Sequence, residues 1–364
     1  MRIIHTADLH LDSKLESNLD SDAAKIRRGE LLDTFSNMVE YAAAGNVSVI
    51  LIAGDLFDKV HIRKGAKRRV LDEIITHPDI DFLYLLGNHD RTDFLSDVEE
   101  GDVPSNLKLF SKDKWISYEY GRVVISGREL SDDNFKTISV NLILDESKIN
   151  IVTLHGQESD YSGSDRTHII QLPLFRNKYI DYLALGHIHS YKCGRLDDRG
   201  IYCYPGCLEG RGFDECGEKG FVLLDIDEET GEVDHKFVPF AKRKLNEISI
   251  TVQEDMNMPD IIDSIRENTK SVDGGDLLRV ILNGYTEMDF DVDCDRIANI
   301  FKREFYFFKV YDRTNTRIDY ESFAEDRSLK GEFVRLMQQE DMSEDERAMI
   351  IETGMKAILG EEVD

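Results

Sequence analysis

Five short strings of this sequence combine residue types that can hold a divalent cation. They are Asp8-Leu9-His10, Gly54-Asp55-Leu56-Phe57-Asp58, Gly87-Asn88-His89-Asp90, Leu154-His155-Gly156 and Gly186-His187-Ile188-His189. Imidazole, carboxylate and amide donors together suit borderline or hard divalent ions such as manganese, iron or zinc. Cysteine is absent from the set, which argues against a structural zinc site. Asp8, His10, Asp55, Asn88, His155, His187 and His189 are therefore the candidate metal ligands.

Such ligands need rigid elements behind them. Residues 2–5, 47–53 and 82–86 have the apolar character of buried strands, and 25–44 and 66–76 have helical periodicity. Strand, helix, strand, helix, strand implies parallel strands joined by right-handed crossovers. Ligands in such sheets collect beyond the carboxyl ends of the strands, where Asp8, Asp55 and Asn88 fall. The second half is richer in strands, expected at 123–126, 149–154, 182–185, 201–204, 221–227 and 235–239. His155 follows one of these and His187 and His189 another. A catalytic domain is expected over residues 1–240. A second unit over 245–320 reads strand-helix-strand-helix-strand, and 325–364 is helical and acidic.

The chain has 364 residues, with 45 Lys and Arg against 72 Asp and Glu, a net charge of -27. So acidic a surface repels nucleic acid, whose affinity for proteins rests on cations meeting phosphates. DNA chemistry here requires metals, a local basic patch or a basic partner. The densest basic stretch holds Arg63, Lys64, Lys67, Arg68 and Arg69, just past the Asp55 loop, and is a candidate phosphate-backbone contact. The start of the chain shows no leader pattern and no apolar run is long enough to span a bilayer, so no membrane association and a cytoplasmic location are expected. Five cysteines without a small disulfide scaffold fit reduced thiols. Cys193, Cys203, Cys207 and Cys216 lack the close pairing of a zinc site, and His61, His77, His168 and His235 read as surface or turn residues.

In type and order, the five strings resemble the calcineurin-like metallophosphoesterase family. The resemblance implies a four-layer α-β-β-α sandwich, with a small α+β capping domain and a C-terminal helical hairpin appended. It implies two divalent ions, manganese first, with iron or zinc as alternatives. Asp8, His10 and His189 would hold one ion and Asn88, His155 and His187 the other, with Asp55 bridging. Two such ions generate hydroxide from water at neutral pH and neutralise charge on the phosphoryl oxygens. His89 is assigned to stabilise or protonate the leaving oxygen, and Asp90 to orient an imidazole.

A narrower resemblance lies further along. Tyr204-Pro205-Gly206-Cys207, Phe213-Asp214-Glu215-Cys216-Gly217 and Ala184-Leu185-Gly186-His187-Ile188-His189 look like elements of SbcD-type DNA repair nucleases, bacterial relatives of the archaeal and eukaryotic Mre nucleases. Asp12, where the family often has glycine, and Asp58, where archaeal and eukaryotic members carry histidine, depart from the pattern. The resemblance implies exonuclease and structure-specific endonuclease activity on DNA ends in repair and recombination. It also implies a separate SbcC-type coiled-coil ATPase partner, and it is compatible with a homodimer. No Gly-x-x-x-x-Gly-Lys-Ser/Thr string occurs, so this chain carries no P-loop of its own. The tail offers a docking element: Leu329, Phe333, Leu336 and Met337 at helical spacing, then a helix opened by Ser343 and Glu346 with Ala348, Ile351, Met355 and Ile358 on one face. Residues 321–364 hold 13 acidic against 5 basic residues, suited to a basic partner.

Two rivals stand beside this reading. A phosphodiesterase acting on a small nucleotide explains the metals and the acidity, but not the Phe213 to Gly217 element or the unit at 245–320. A non-catalytic scaffold would not need all seven ligand positions.

Overall fold

The computed structural model describes the chain apart from residues 16–18, 20, 59–61, 89, 91–94, 96–102, 132, 160–167, 288–289, 318–319, 324 and 360–364. It divides into two units, Met1–Lys244 and Leu245–Asp364. The first unit runs β1 (Arg2–Thr6), α1 (Ser21–Ala44), β2 (Val49–Ala53), α2 (Lys64–Thr76), β3 (Asp81–Leu85), β4 (Leu107–Leu109), β5 (Ile116–Tyr120) and β6 (Val123–Gly127). It continues through β7 (Ile149–His155), β8 (Tyr182–Gly186), β9 (Lys192–Arg195), β10 (Ile201–Tyr204), β11 (Gly220–Ile226) and β12 (Val233–Pro239).

Two six-stranded sheets result, in the orders β12-β11-β1-β2-β3-β4 and β5-β6-β7-β8-β10-β9. β1, β2 and β3 are parallel, with α1 and α2 as crossovers, and β11 closes on β1 antiparallel. β2 is buried at every residue, as expected for a central strand covered on both faces. Its alternate residues Val49 and Leu51 join Ile3, Leu83 and Val222 against Ile125, Ile151, Tyr182 and Ala184 of the other sheet, forming one core between the sheets. The helices meet the first sheet through stripes at a helical period, such as Ala66, Val70 and Ile74 of α2. On the outer face of the second sheet, Val152, Leu154, Leu183 and Leu185 pack against Ile138, Leu142, Ile170 and Phe175. Among the described residues this fourth layer is made of turns and a 3-10 helix, Leu172–Phe175.

A buried ion network ties the end of this unit to α1. The Arg27 guanidinium donates to Glu30 (2.8 Å), Glu209 (3.0 Å) and the Gly210 carbonyl (2.9 Å), and Arg243 donates to Glu30 at 2.7 Å. Those bonds hold the Glu30 carboxyl down to about 2: burial would raise it, and the Arg243 and Arg27 contacts outweigh that.

The second unit contains β13 (Leu245–Val252), α3 (Met258–Thr269), β14 (Leu277–Glu287), α4 (Cys294–Phe301) and β15 (Phe307–Arg317). Its three strands are all parallel, with β14 central. Asn257 and Asp260 form a capping box at the start of α3, and the Asp293 side chain accepts from the Arg296 amide to cap α4. Ile250, Leu278, Val280, Ile265, Ile297 and Phe301 form its core. Three helices follow: α5 (Tyr320–Phe323), α6 (Leu329–Met337) and α7 (Glu344–Leu359). Ser343 and Glu346 exchange the two bonds of a capping box at α7. Val334, Ala348, Ile351 and Met355 are buried between the helices, with Phe333 and Met337 packed against them. Leu329 and Leu336, expected on the same stripe, are 69% and 51% exposed, because Val334 takes the inward position.

Candidate metal centre

The carboxyl ends of β1, β2, β3, β7 and β8 bring the five strings together. The loop after β1 is laced to the loop after β2 by backbone bonds: the Asp8 amide donates to Gly54 O (3.1 Å), His10 to Asp55 O (3.0 Å) and Leu11 to Leu56 O (2.9 Å). The second sheet is tied in by the His187 amide, which donates to both Asp8 oxygens at 2.9 and 3.0 Å. Aiming these side chains inward strains the backbone. Asp8, His10 and Asp55 have φ of 53°, 44° and 54°, and His187 has φ 105°. Non-glycine residues held in such regions are costly and cluster at functional sites. Two glycines leave room for close approach. A Cβ on Gly54 would lie 2.0 Å from His155 Nδ1, and one on Gly87 2.1 Å from Asp55 Oδ1.

The donor atoms converge at ligand spacing. Donors about 2.1 Å from one ion, in tetrahedral or octahedral arrangement, lie about 3.0–3.4 Å from each other. Here His10 Nε2 and His189 Nε2 are 3.2 Å apart, His155 Nε2 and Asp55 Oδ2 3.4 Å, and His187 Nδ1 and Asn88 Oδ1 3.3 Å. His155 Nε2 and Asn88 Oδ1 are 2.8 Å apart. Asp8, His10 and His189 form one group able to hold a cation, and Asp8, Asp55 and His155 a second. Asp8 is common to both groups, and Asp55 Oδ2 lies 3.8 Å from His10 Nε2, so the Asp55 carboxylate also faces both. The residues present thus fit a pair of divalent ions. Asn88 is exposed and His187 and His189 are half-buried.

Surrounding contacts fix which imidazole nitrogen faces inward. His155 Nδ1 lies 2.9 Å from Ala53 O, which turns Nε2 toward Asp55 and Asn88. His189 Nδ1 lies 2.7 Å from Glu215 Oε1, and His10 Nδ1 3.3 Å from Asp58 Oδ1. Partners of this kind set the tautomer and orientation of ligand histidines. The buried carboxylates make the pocket attractive to positive charge. Burial alone would lower His155, yet the Asp55 carboxylate beside it pushes it up to about 10. Burial would raise Glu215, but His189 and Arg211 hold it well below the usual carboxylate range.

Three of these partners were not among the expected site residues. Arg211 donates to Glu215 (2.8 Å), and its Nη2 lies 3.3 Å from His189 Nδ1. Asp58 and Glu215 sit in the quoted strings, which were the available signal. Arg211, between two glycines in a loop, offers none. Asp90 accepts from the amides of Leu56 (3.3 Å), Phe57 (3.0 Å) and Gly87 (3.0 Å). It therefore clamps the Asp55 and Asn88 loops together. Burial and the neighbouring Asp55 push its carboxyl up to about 6. His89 lies outside the described residues.

The basic stretch divides in two. Arg63, Lys64 and Arg68 are exposed. Arg63 caps the ligand loop, its amide donating to Asp12 at 2.9 Å and its guanidinium lying 3.4 Å from the same carboxylate. Arg69 turns instead to α1, meeting Asp33 at 2.8 Å and Ser36 at 3.2 Å. Lys67 is half-buried.

Comparison with known proteins follows this geometry. The profile of the calcineurin-like phosphoesterase family matches residues 1–191. The chain is 24% identical over 281 residues to the metallophosphoesterase YhaO of Bacillus subtilis, covering 73% of this chain and 67% of that protein. It is 24% identical over 376 residues to the DNA double-strand break repair protein Mre11 of Saccharolobus solfataricus, covering 97% of this chain and 94% of that protein. The protein of the same name from Sulfolobus acidocaldarius is 24% identical over 310 residues, covering 80% of this chain and 77% of that one.

Proposed function

Because this chain belongs to the calcineurin-like phosphoesterase family, we propose that it is a metal-dependent DNA nuclease of the SbcD type, hydrolysing phosphodiester bonds at DNA ends. The position of Asp55 carries the reading: its Oδ2 is within 3.8 Å of His10 Nε2 and 3.4 Å of His155 Nε2, where a bridging ligand belongs. In this proposal Asp8, His10 and His189 hold one ion, Asn88, His155 and His187 the other, and Asp55 both; manganese is the first candidate. When bound, such a pair supplies a water-derived nucleophile at neutral pH and neutralises charge on the phosphoryl group.

The chain's own residues supply the rest. Glu215 and Arg211 hold His189 in place, and Ala53 O holds His155. Asp90 locks two ligand loops to each other. His89, next to Asn88 in sequence, is assigned to the leaving oxygen. Arg63, Lys64 and Arg68 are the basic groups available to a DNA backbone.

DNA is favoured over a small nucleotide by the alignment with a DNA repair protein over 97% of this chain, which includes the second unit. In this reading residues 1–240 are the nuclease domain and 245–320 a capping domain. Residues 325–364 dock an SbcC-type coiled-coil ATPase. Leu329, Leu336, Met349 and Ile350, all exposed, are the apolar groups on α6 and α7 open to such a partner. Among the described residues no helix is long and apolar enough to cross a membrane.

The test is the purified protein with manganese, assayed on single-stranded DNA, duplex ends and a small chromogenic phosphodiester. Cleavage of DNA is expected, and turnover of the small ester alone would support the small-nucleotide alternative. Replacing Lys64 and Arg68 with alanine should weaken DNA binding and flatten its salt dependence, while hydrolysis of the small ester is unchanged.

A further inference from the structure

Away from the metal centre, β9 and β10 carry two cysteines opposite each other, Cys193 and Cys203 being partners in the antiparallel register. Directly opposed residues in such a pair have Cα atoms about 4.5–5.5 Å apart. That distance lies inside the span of about 4.4–6.8 Å that a disulfide bridges. Directly opposed residues point to the same face of the sheet, so the two side chains lie side by side, while the Cys203 thiol donates to Tyr204 O at 3.8 Å. Cys193 is half-buried and Cys203 fully buried, and neither is in a disulfide. His235, on β12 of the other sheet, brings Nε2 to 3.4 Å from Cys193 Sγ. Tyr182 shares the inter-sheet core with Cys203, and its hydroxyl lies 2.9 Å from His5 Nδ1.

We propose that Cys193 and Cys203 form a redox-active pair, which hydrogen peroxide converts to a cross-strand disulfide with His235 as the base for Cys193. The two thiols have unequal parts. Cys193, half-buried and 3.4 Å from His235 Nε2, is pulled down by the neighbouring Cys203 first and by His235 as well, against the effect of burial. Cys203, fully buried, is pushed well up by the adjacent Cys193 and by burial. A thiolate is the nucleophile in such chemistry, so Cys193 attacks and Cys203 resolves.

His235 takes the Cys193 proton, and the thiolate attacks one peroxide oxygen. The O–O bond breaks, and the hydroxide released leaves as water with the proton from His235. Cys193 is then a sulfenic acid. The Cys203 sulfur attacks it, the S–S bond forms, the S–O bond breaks, and the second hydroxide leaves as water with the Cys203 proton. The pair loses two electrons and the peroxide gains them. The remaining cysteines lack this arrangement. Cys207 is buried, 3.7 Å from a Glu215 oxygen, and pushed well above a thiol's usual range. Cys216 hydrogen-bonds to Phe213 O, and Cys294 is raised by burial.

The experiment uses the full, reduced wild-type chain. Iodoacetamide labelling followed by peptide mapping should show Cys193 alkylated about tenfold faster than Cys216 or Cys294. Limiting peroxide should then consume two of the five thiols. Non-reducing maps should recover one linked peptide pair, joining Cys193 to Cys203. His235→Asn should bring Cys193 labelling down to the rate of Cys294. Labelling of Cys193 no faster than Cys294 in the wild type would overturn the proposal. So would the lack of the linked pair, or a linkage through Cys207, Cys216 or Cys294.

Discussion

The metal-centre end of the first unit and the sheet of the second unit are built on opposite principles. Every described non-glycine residue with positive φ falls in the first unit, and four of the ten, Asp8, His10, Asp55 and His187, are candidate ligands. In the second unit the one described residue of this kind is a glycine, Gly284. There the capping box of α3, the cap of α4 and the apolar strands agree with the fold they occupy. Where a chain has only to pack, local preference and tertiary structure coincide. Where it must aim several polar groups at one point, backbone conformations are imposed against preference, and the surrounding sandwich supplies the stability to hold them.

Breaking each region should therefore have different consequences. The largest effect is expected from His187→Ala, which removes a donor from the strained end. Hydrolysis of a small phosphodiester should fall about a thousandfold, with loss of one bound ion and an unchanged circular dichroism spectrum. Next comes Glu215→Ala, which leaves all seven ligands in place but releases His189. Metal affinity should weaken by about 10–100-fold, with turnover recovered at saturating metal. Failure of excess metal to restore turnover would give Glu215 a direct part in the reaction. Ile265→Ala should act on stability alone, lowering that of the second unit by about 2–5 kcal/mol without changing turnover of the small ester.

The smallest and most conditional effect concerns Glu30. Its folded-state carboxyl, at about 2, lies below its ordinary value of 4.5. The ionised group therefore stabilises the fold above the ordinary value, and that contribution is lost as pH falls toward 2. The melting-temperature gap between wild type and Glu30→Gln should be widest near neutral pH and shrink steadily below pH 4.5. A gap that is constant with pH would mean the Arg27 and Arg243 contacts do not act through the charge.

The same contrast explains what could be read from the sequence. β1, β2, β3, β7 and β8 are apolar runs, and each ends in a string of donor residues, so the parallel crossovers of β1 to β3 and the placing of the candidate donors at strand ends were legible. β4, β5 and β9 were not. They are short or edge strands with polar alternation, as in Ile-Ser-Tyr-Glu-Tyr of β5, and they lack an apolar run. Arg211 was missed because its contact with His189 joins loops 22 residues apart with no periodicity to announce it. His235 read as a surface residue, since nothing in β12 shows that its ring meets Cys193 on the other sheet. On α6, helical spacing suggested Leu336, whereas packing against α7 selected Val334.

The central claim is that one carboxylate, Asp55, serves two ions. Measuring bound manganese per chain together with turnover, in wild type and in Asp55→Ala, tests it most directly. Two ions per chain are expected for the wild type, with at most one and negligible turnover for the variant. One ion per chain at full turnover in the wild type, or two ions retained in the variant, would contradict it.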